Sequence, residues 1–349
     1  MKIKKTLLLD ATVLNNENYK SAINTASKLL QGGNLVAIPT ETVYGLAANA
    51  LDETAVEKIF EAKGRPADNP LIVHVSCFED IIPMVKDIPK TAHKLAEKFW
   101  PGPLTIILKK SDKIPNIVSG GLDTIALRIP ANKVSLELLK SCKLPLAAPS
   151  ANISGSPSPT SSQHVMDDMQ GRVEAVLDGG ACDIGLESTV ISLAGDPVIY
   201  RPGKITKEEI ESIIGEVKLH NSVTKQLENN DKILSPGMKY KHYSPINPLK
   251  IIDSDSAGYI NFINDKFKED KNIIALCFGE DKKYINAQCI SYGNDGDDLS
   301  QAKNLYNVLR QTDEYKNYTI YARMPKKSGV GLAVFNRLLR ASGYDIIKI

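Results

Sequence analysis

The segment LSPGMKYKHYSPINP, residues 234–248, holds three prolines and one glycine within fifteen positions. Proline lacks a backbone N–H and has a locked φ, so such a stretch runs neither as a helix interior nor as a central strand. It therefore divides the chain. Whatever cores this protein builds lie on either side of it, joined by an ordered connection. A length of 349 residues points the same way, because single cores stop growing at roughly 250–300 residues.

On the N-terminal side, residues 21–31 (SAINTASKLLQ) read as an amphipathic helix stopped by Gly32-Gly33. Residues 55–62 read as a second helix. LVAIP (35–39), LIVHV (71–75), LTIIL (104–108), IALRI (125–129), AVL (175–177), STVISL (188–193) and VIY (198–200) read as strands, rich in β-branched residues and bounded by proline or glycine. This irregular alternation predicts one large mixed α/β domain over 1–205. Residues 206–248 change character, from a short helix (KEEIESII) through the polar NSVTKQLENNDK to the proline-rich run, and read as a linker. From 249 to 349 a βαβ pattern returns: LKIID, NIIALCF, YTIYA and YDIIKI alternate with helices near 255–268, 299–312 and 331–341. That is a second, smaller α/β domain. Its pattern suggests a nucleotide-type crevice, which is fold analogy and not a site.

With 42% apolar and 24% charged residues the chain is globular, not disordered. Its net charge of +2, from 43 Lys+Arg against 41 Asp+Glu, gives no global field toward nucleic acid or membrane, so an anion site must be a local cluster. Five cysteines, odd in number and never in a C-x-x-C pair, argue against a disulfide scaffold and a zinc ribbon and fit a reducing cytoplasm. The N-terminal leucine run ends at Asp10 after three residues, too short for a signal peptide, and no run approaches the ~20 residues of a membrane span. The expectation is a soluble, cytoplasmic protein.

Familiar catalytic motifs are missing. The sequence has no P-loop, no H-E-x-x-H and no G-x-S-x-G, and GVGLAV (329–334) lacks the third glycine of a dinucleotide fingerprint. What remains is a set of polar residues on loops beside strands. PTETVYGL (39–46) follows an apolar strand and either presents its hydroxyls to a ligand or caps a turn. In KGRPADNPLIVHV (63–75), Lys63 and Arg65 flank a glycine on a segment stiffened by Pro66 and Pro70, which suits a polyphosphate: Arg offers a fork and Lys a point charge. APSANISGSPSPT (148–160) offers small hydroxyls and backbone N–H groups of an anion-binding nest, or else a flexible linker. Arg201 follows a strand directly. Arg128, a lone cation within an apolar strand, must find a partner, because an unpaired buried charge is very costly; a structural salt bridge and a ligand carboxylate both serve. Neither a protein nucleophile nor a metal cage is evident.

Taken together, K-G-R (63–65), S-A-N (150–152), PTETVYGL, WPGPLT (100–105), GLESTV (185–190), YRPG (200–203) and SPGMKYKHYSP (235–245) resemble the YrdC-like threonylcarbamoyl-AMP synthases, in their long form with an extra C-terminal domain. The resemblance covers about residues 20–248 well. The C-terminal part matches more weakly, through GLAVFNRLLRA (331–341). It implies a twisted mixed α/β sheet around a deep basic cavity, plus a smaller Rossmann-like domain. It also implies a reaction, in which L-threonine, bicarbonate and ATP give threonylcarbamoyl-AMP and pyrophosphate, and a place upstream of the transferase machinery that modifies tRNA beside the anticodon. Direct tRNA contact is left open. Magnesium is expected to arrive on ATP, with no protein metal cage.

Carried over motif by motif, Lys63, Arg65, Ser150 and Asn152 handle the phosphates and the reacting centre. Asn69, Thr124, Ser158 and Arg201 are further nucleotide contacts, and Tyr240 and His242 belong to a lid formed by the linker. Thr42, His74, Arg128, Ser188 and the backbone at Ala148 take threonine, with Arg128 on its carboxylate. Two other readings stand beside this one. The first is a non-catalytic protein that holds tRNA or double-stranded RNA, which the near-neutral charge disfavours. The second is a carbamoyl transferase of another pathway, which would carry segments absent here.

Overall fold

The computed structural model describes residues 4–67, 69–226 and 243–349. The first sheet is built from β1 (Leu7–Asp10), β2 (Val36–Ile38), β3 (Gly45–Asn49), β4 (Ile72–His74), β5 (Leu104–Lys109), β6 (Thr124–Arg128), β7 (Leu146–Ala147), β8 (Ala175–Asp178), β9 (Thr189–Ser192), β10 (Val198–Arg201) and β11 (Lys218–Leu219). Their spatial order is β1-β8-β2-β3-β7-β4-β6-β5-β9-β10-β11. The sheet is mixed: β5 pairs antiparallel with β6, while β4 runs parallel to β6 and β5 to β9. VAI, IVH and TVIS are buried along their whole length, as strands covered on both faces must be. One cover is the helix Glu17–Gln31. Asn16 caps it by accepting from the Tyr19 N–H, and its Tyr19, Ala22, Ile23, Ala26 and Leu30 face inward at helical spacing.

The second sheet is wholly parallel: β12 (Leu249–Asp253), β13 (Ile273–Cys277), β14 (Gln288–Ser291), β15 (Thr319–Arg323) and β16 (Ile346–Lys348), in the order β14-β13-β15-β12-β16. Here β15 lies between β12 and β13, which the dinucleotide-binding order would set side by side. The α/β class expected from the sequence is present in both sheets.

Residues 206–219, assigned to the linker on sequence, are built onto the first sheet. Thr206 and Glu209 form a capping box that starts the helix Lys207–Ile214. Ile210 and Val217 enter the main core, and β11 pairs with β10. The second domain packs on the first: Val43 and Leu186 belong to the same apolar cluster as Tyr306, Leu309 and Phe335. Both come from motifs that carry site residues, PTETVYGL and GLESTV. Among the described residues no helix is long and apolar enough to cross a membrane.

Candidate active site

The helix Glu53–Lys63 ends on Gly64, whose φ of +61° closes it with a left-handed residue. That turn leaves Lys63 buried and pointing across to the S-A-N loop. Its Nζ donates to the backbone carbonyls of Ser150 (2.5 Å) and Asn152 (2.7 Å). The Ser150 hydroxyl donates to Asn152 Oδ1 (2.5 Å), and Asn152 Nδ2 donates to the carbonyls of Ile153 and Ser156. K-G-R and S-A-N are thus one hydrogen-bonded unit. Burial, and then the charge of Arg65, push the Lys63 ammonium well below the usual lysine range.

Across the cavity, β4 and β6 run in parallel register with His74 opposite Arg128. Arg128 donates to Gly102 O (3.2 Å), Thr42 Oγ1 (2.9 Å) and Glu41 Oε1 (2.6 Å). The salt bridge expected for a cation in an apolar strand therefore exists, to Glu41, and Arg128 still lines the cavity. Burial first, and Arg128 second, depress the His74 imidazole to about 3, so it is neutral at physiological pH, and its Nδ1 has no hydrogen-bond partner among the described residues. Arg201, on the last residue of β10, donates to Ser188 O (3.0 Å) and to Ser188 Oγ (3.1 Å).

These pieces line one cavity with about 750 Å³ of empty space, the solvent in its open mouth included. Lys63, Arg65, Ser150, Asn152 and Arg201 line it together with Thr42, His74, Arg128, Ala148 and Ser188. Asn69 is fully buried beside the lining residue Pro70, and neither atom of its side-chain amide has a partner among the described residues. Ser158 is one layer back, donating to Glu187 Oε1 (2.6 Å). Thr124 begins β6, at the opposite end from Arg128, and is not in the cavity wall. Tyr240 and His242 lie outside the described residues.

A family model described as telomere recombination matches residues 28–203, and one described as the C-terminal domain of threonylcarbamoyl-AMP synthase matches residues 205–343. The threonylcarbamoyl-AMP synthase of Pyrococcus abyssi is 47% identical over 94% of this chain and 96% of its own length. That of Bacillus subtilis is 43% identical over 93% and 94%. The chain belongs to the threonylcarbamoyl-AMP synthase family. The solved structure of P. abyssi Sua5 complexed with L-threonine superposes with a TM-score of 0.89 at 43% identity, covering 99% of both chains. A relative in Methanocaldococcus jannaschii, a putative threonylcarbamoyl-AMP synthase, is 38% identical across 97% of its own length but only 59% of this chain.

For a threonylcarbamoyl-AMP synthase of the two-domain form, the cavity wall contains residues that sequence reasoning did not single out. Thr40 lines it, and its hydroxyl is 2.8 Å from that of Thr42. Glu187 and Tyr243 line it as well. Glu187 had a signal: it is a charge at the start of an apolar strand, the same warning that Arg128 gave.

Proposed function

We propose that this chain joins L-threonine, bicarbonate and ATP into threonylcarbamoyl-AMP, releasing pyrophosphate and water. One observation carries the reading. A single cavity sets the Lys63–Ser150–Asn152 unit and Arg65 beside the Thr42–His74–Arg128 group. The reaction needs no protein nucleophile. Threonine's amine adds to carbon dioxide derived from bicarbonate, an oxygen of the resulting carbamate attacks the α-phosphorus, and pyrophosphate leaves. The protein's part is to bring the reactants together and neutralise their charge.

In this reading Arg128 takes the threonine carboxylate, with its Glu41 partner holding the guanidinium in place. Neutral His74 offers its Nδ1 to the polar groups of the amino acid. Lys63 shapes the S-A-N loop from behind, while Ser150 and Asn152 meet the reacting centre and Arg65 and Arg201 meet phosphate oxygens. Asn69 and Ser158 are further nucleotide contacts, and the segment with Tyr240 and His242 closes the mouth. A water-excluding closure would protect a labile mixed anhydride.

Magnesium enters as cargo on ATP. The donor set fits this: the cavity is lined by cations, and both oxygens of its Glu187 carboxylate are already hydrogen-bonded. The product would feed tRNA modification through a separate transferase, in the cytoplasm. The test is pyrophosphate release from ATP and magnesium with threonine and bicarbonate omitted in turn. Release that requires both is expected. Release without threonine, or none from folded protein, overturns the reading.

A further inference from the structure

A carboxylate is an unexpected wall for a cavity that is otherwise cationic and built for anions. Glu187 is 6% exposed and lines that cavity, where a free negative charge would repel a triphosphate. It is not free. Its Oε1 accepts from Ser158 Oγ (2.6 Å) and Tyr306 OH (3.0 Å), and its Oε2 from Tyr306 OH (2.8 Å) and Arg337 Nε (2.8 Å). Tyr306 and Arg337 both belong to the second domain, on the helices Asp298–Gln311 and Gly329–Ala341.

Each of these two residues is itself held. Arg337 is fully buried and donates to Pro202 O (3.0 Å) of the first domain and to Asn336 Oδ1 (2.9 Å). The Tyr306 ring stands 5.2 Å from that of Tyr243, which also lines the cavity. One residue on, Ser188 is gripped by Arg201 through its carbonyl and its hydroxyl. The Glu187–Ser188 pair is thus clamped from two sides, by a first-domain arginine and by a second-domain arginine and tyrosine.

We propose that Tyr306 and Arg337 are positioning residues of the active site: acting through Glu187, they fix the Ser158 hydroxyl and turn a repelling carboxylate into a neutralised acceptor, so that nucleotide binding depends on the second domain. Burial alone would raise the pKa of Glu187, but the guanidiniums of Arg337 and Arg201 hold it down at about 2, in keeping with a carboxylate that stays ionised in its clamp. The second domain is then part of the site wall and not an appendage. This inference rests on the proposed synthase reading.

The test uses the full-length chain and a double-mutant cycle between Tyr306→Phe and Ser158→Ala. Tyr306→Phe removes only a hydroxyl and keeps the ring against Tyr243, so the protein is expected to fold; Arg337→Lys is the second probe. Steady-state pyrophosphate release gives kcat and KM for each substrate. Tyr306→Phe should raise the KM for ATP by about tenfold with kcat little changed, and should lower the melting temperature modestly, because buried Glu187 loses one donor. In the Ser158→Ala background it should add less than it does alone, because both hydroxyls act through the same Glu187 carboxylate. Arg340→Met loosens the same interface at Ser222 O, away from Glu187, and should leave the KM for ATP unchanged. Effects of Tyr306→Phe and Ser158→Ala that simply add, an unchanged KM in Tyr306→Phe and Arg337→Lys, or an equal rise in Arg340→Met would each overturn the inference. Failure of the wild-type chain to release pyrophosphate at all would instead count against the synthase reading.

Discussion

Each domain has a strand that ends on a buried, carboxylate-paired arginine: β6 on Arg128 in the first and β15 on Arg323 in the second. The second domain closes its arginine completely. Arg323 NH1 donates to both oxygens of Asp281 (2.9 and 2.7 Å), NH2 donates to Asp295 (3.0 Å), and the guanidinium lies 4.4 Å over the Phe278 ring. Two carboxylates meet one cation, and the charge serves the domain's own structure. Arg128 has a single carboxylate, Glu41, and shares its cavity with Lys63, Arg65 and Arg201. The first domain therefore keeps a positive surplus facing its cavity, which a phosphorylated or carboxylated ligand can neutralise. The second has used its charge on itself and on Glu187 of its neighbour. Buried arginines alike in position differ in what completes them, and that difference separates a site from a scaffold.

The largest expected effects test this division from both ends. Arg323→Met leaves the Asp281 carboxylate, 1% exposed, without its cation. Removing one partner of a buried pair typically costs about 3–5 kcal/mol, so thermal unfolding should begin many degrees earlier, while substrate KM values of the protein still folded stay near wild type. Arg65→Ala should do the reverse. Turnover should fall about 10²–10³-fold, the worth of one preorganised charge at a reacting centre, with the melting temperature held. If Arg65→Ala instead melts early at full specific activity, the cations of the first domain are structural and the contrast collapses.

Next in size is the acid response of the clamp between the domains. Glu187 is held at about 2 against an ordinary 4.5, despite burial, by Arg337 and Arg201. A carboxylate depressed in the folded state contributes stability above its unfolded value, and that stability is lost as pH falls through the folded one. The window is therefore between about pH 4.5 and 2, and the loss across it is about 3 kcal/mol. Urea unfolding at steps from pH 6 down to 3 should show the decline. The variant Glu187→Gln should be less stable at pH 6 and flatter through the window; an equal slope in both proteins would assign the acid sensitivity to other carboxylates.

How much of this was legible in the sequence depends on how local the physics is. VAI, LTIIL, the IAL of β6 and IIALC lie in strands of the structure because they are apolar on both faces, and that shows in a window of a few residues. β3 carries no strand signal of its own: only its first two residues fall in the PTETVYGL motif, GLAAN is small and weakly β-prone, and it becomes a strand by pairing with β2 and β7. β7, two residues long, carries no periodicity at all. K-G-R and S-A-N stand out by residue type, but the fact that Lys63 spends its hydrogen bonds on the S-A-N backbone does not show in them. Glu187 and Arg337 each announce a buried charge in need of a partner. They lie 150 residues apart, and only the docking of two separately patterned domains introduces one to the other.

The difference between two glycine variants is the sharpest probe of that docking. Gly185, at the start of the GLESTV motif, has φ +81°, and a β-carbon there would sit 2.5 Å from Lys303 O and 2.6 Å from Lys303 Cα, backbone atoms of a second-domain helix. Gly180 has nearly the same φ, +84°, and open space where its β-carbon would go. Alanine at either position meets the same left-handed strain, roughly 1–2 kcal/mol. Alanine at 185 must also push two backbones apart, and overpacking of this kind costs about 1–3 kcal/mol more. Gly180→Ala should therefore lower the melting temperature modestly and leave the KM for ATP alone. Gly185→Ala should lower it further and raise that KM, because the displaced helix carries Tyr306. Equal melting temperatures for the two variants would mean that the domains slide apart at little cost, and the second domain would then be a tether to the site and not part of its wall.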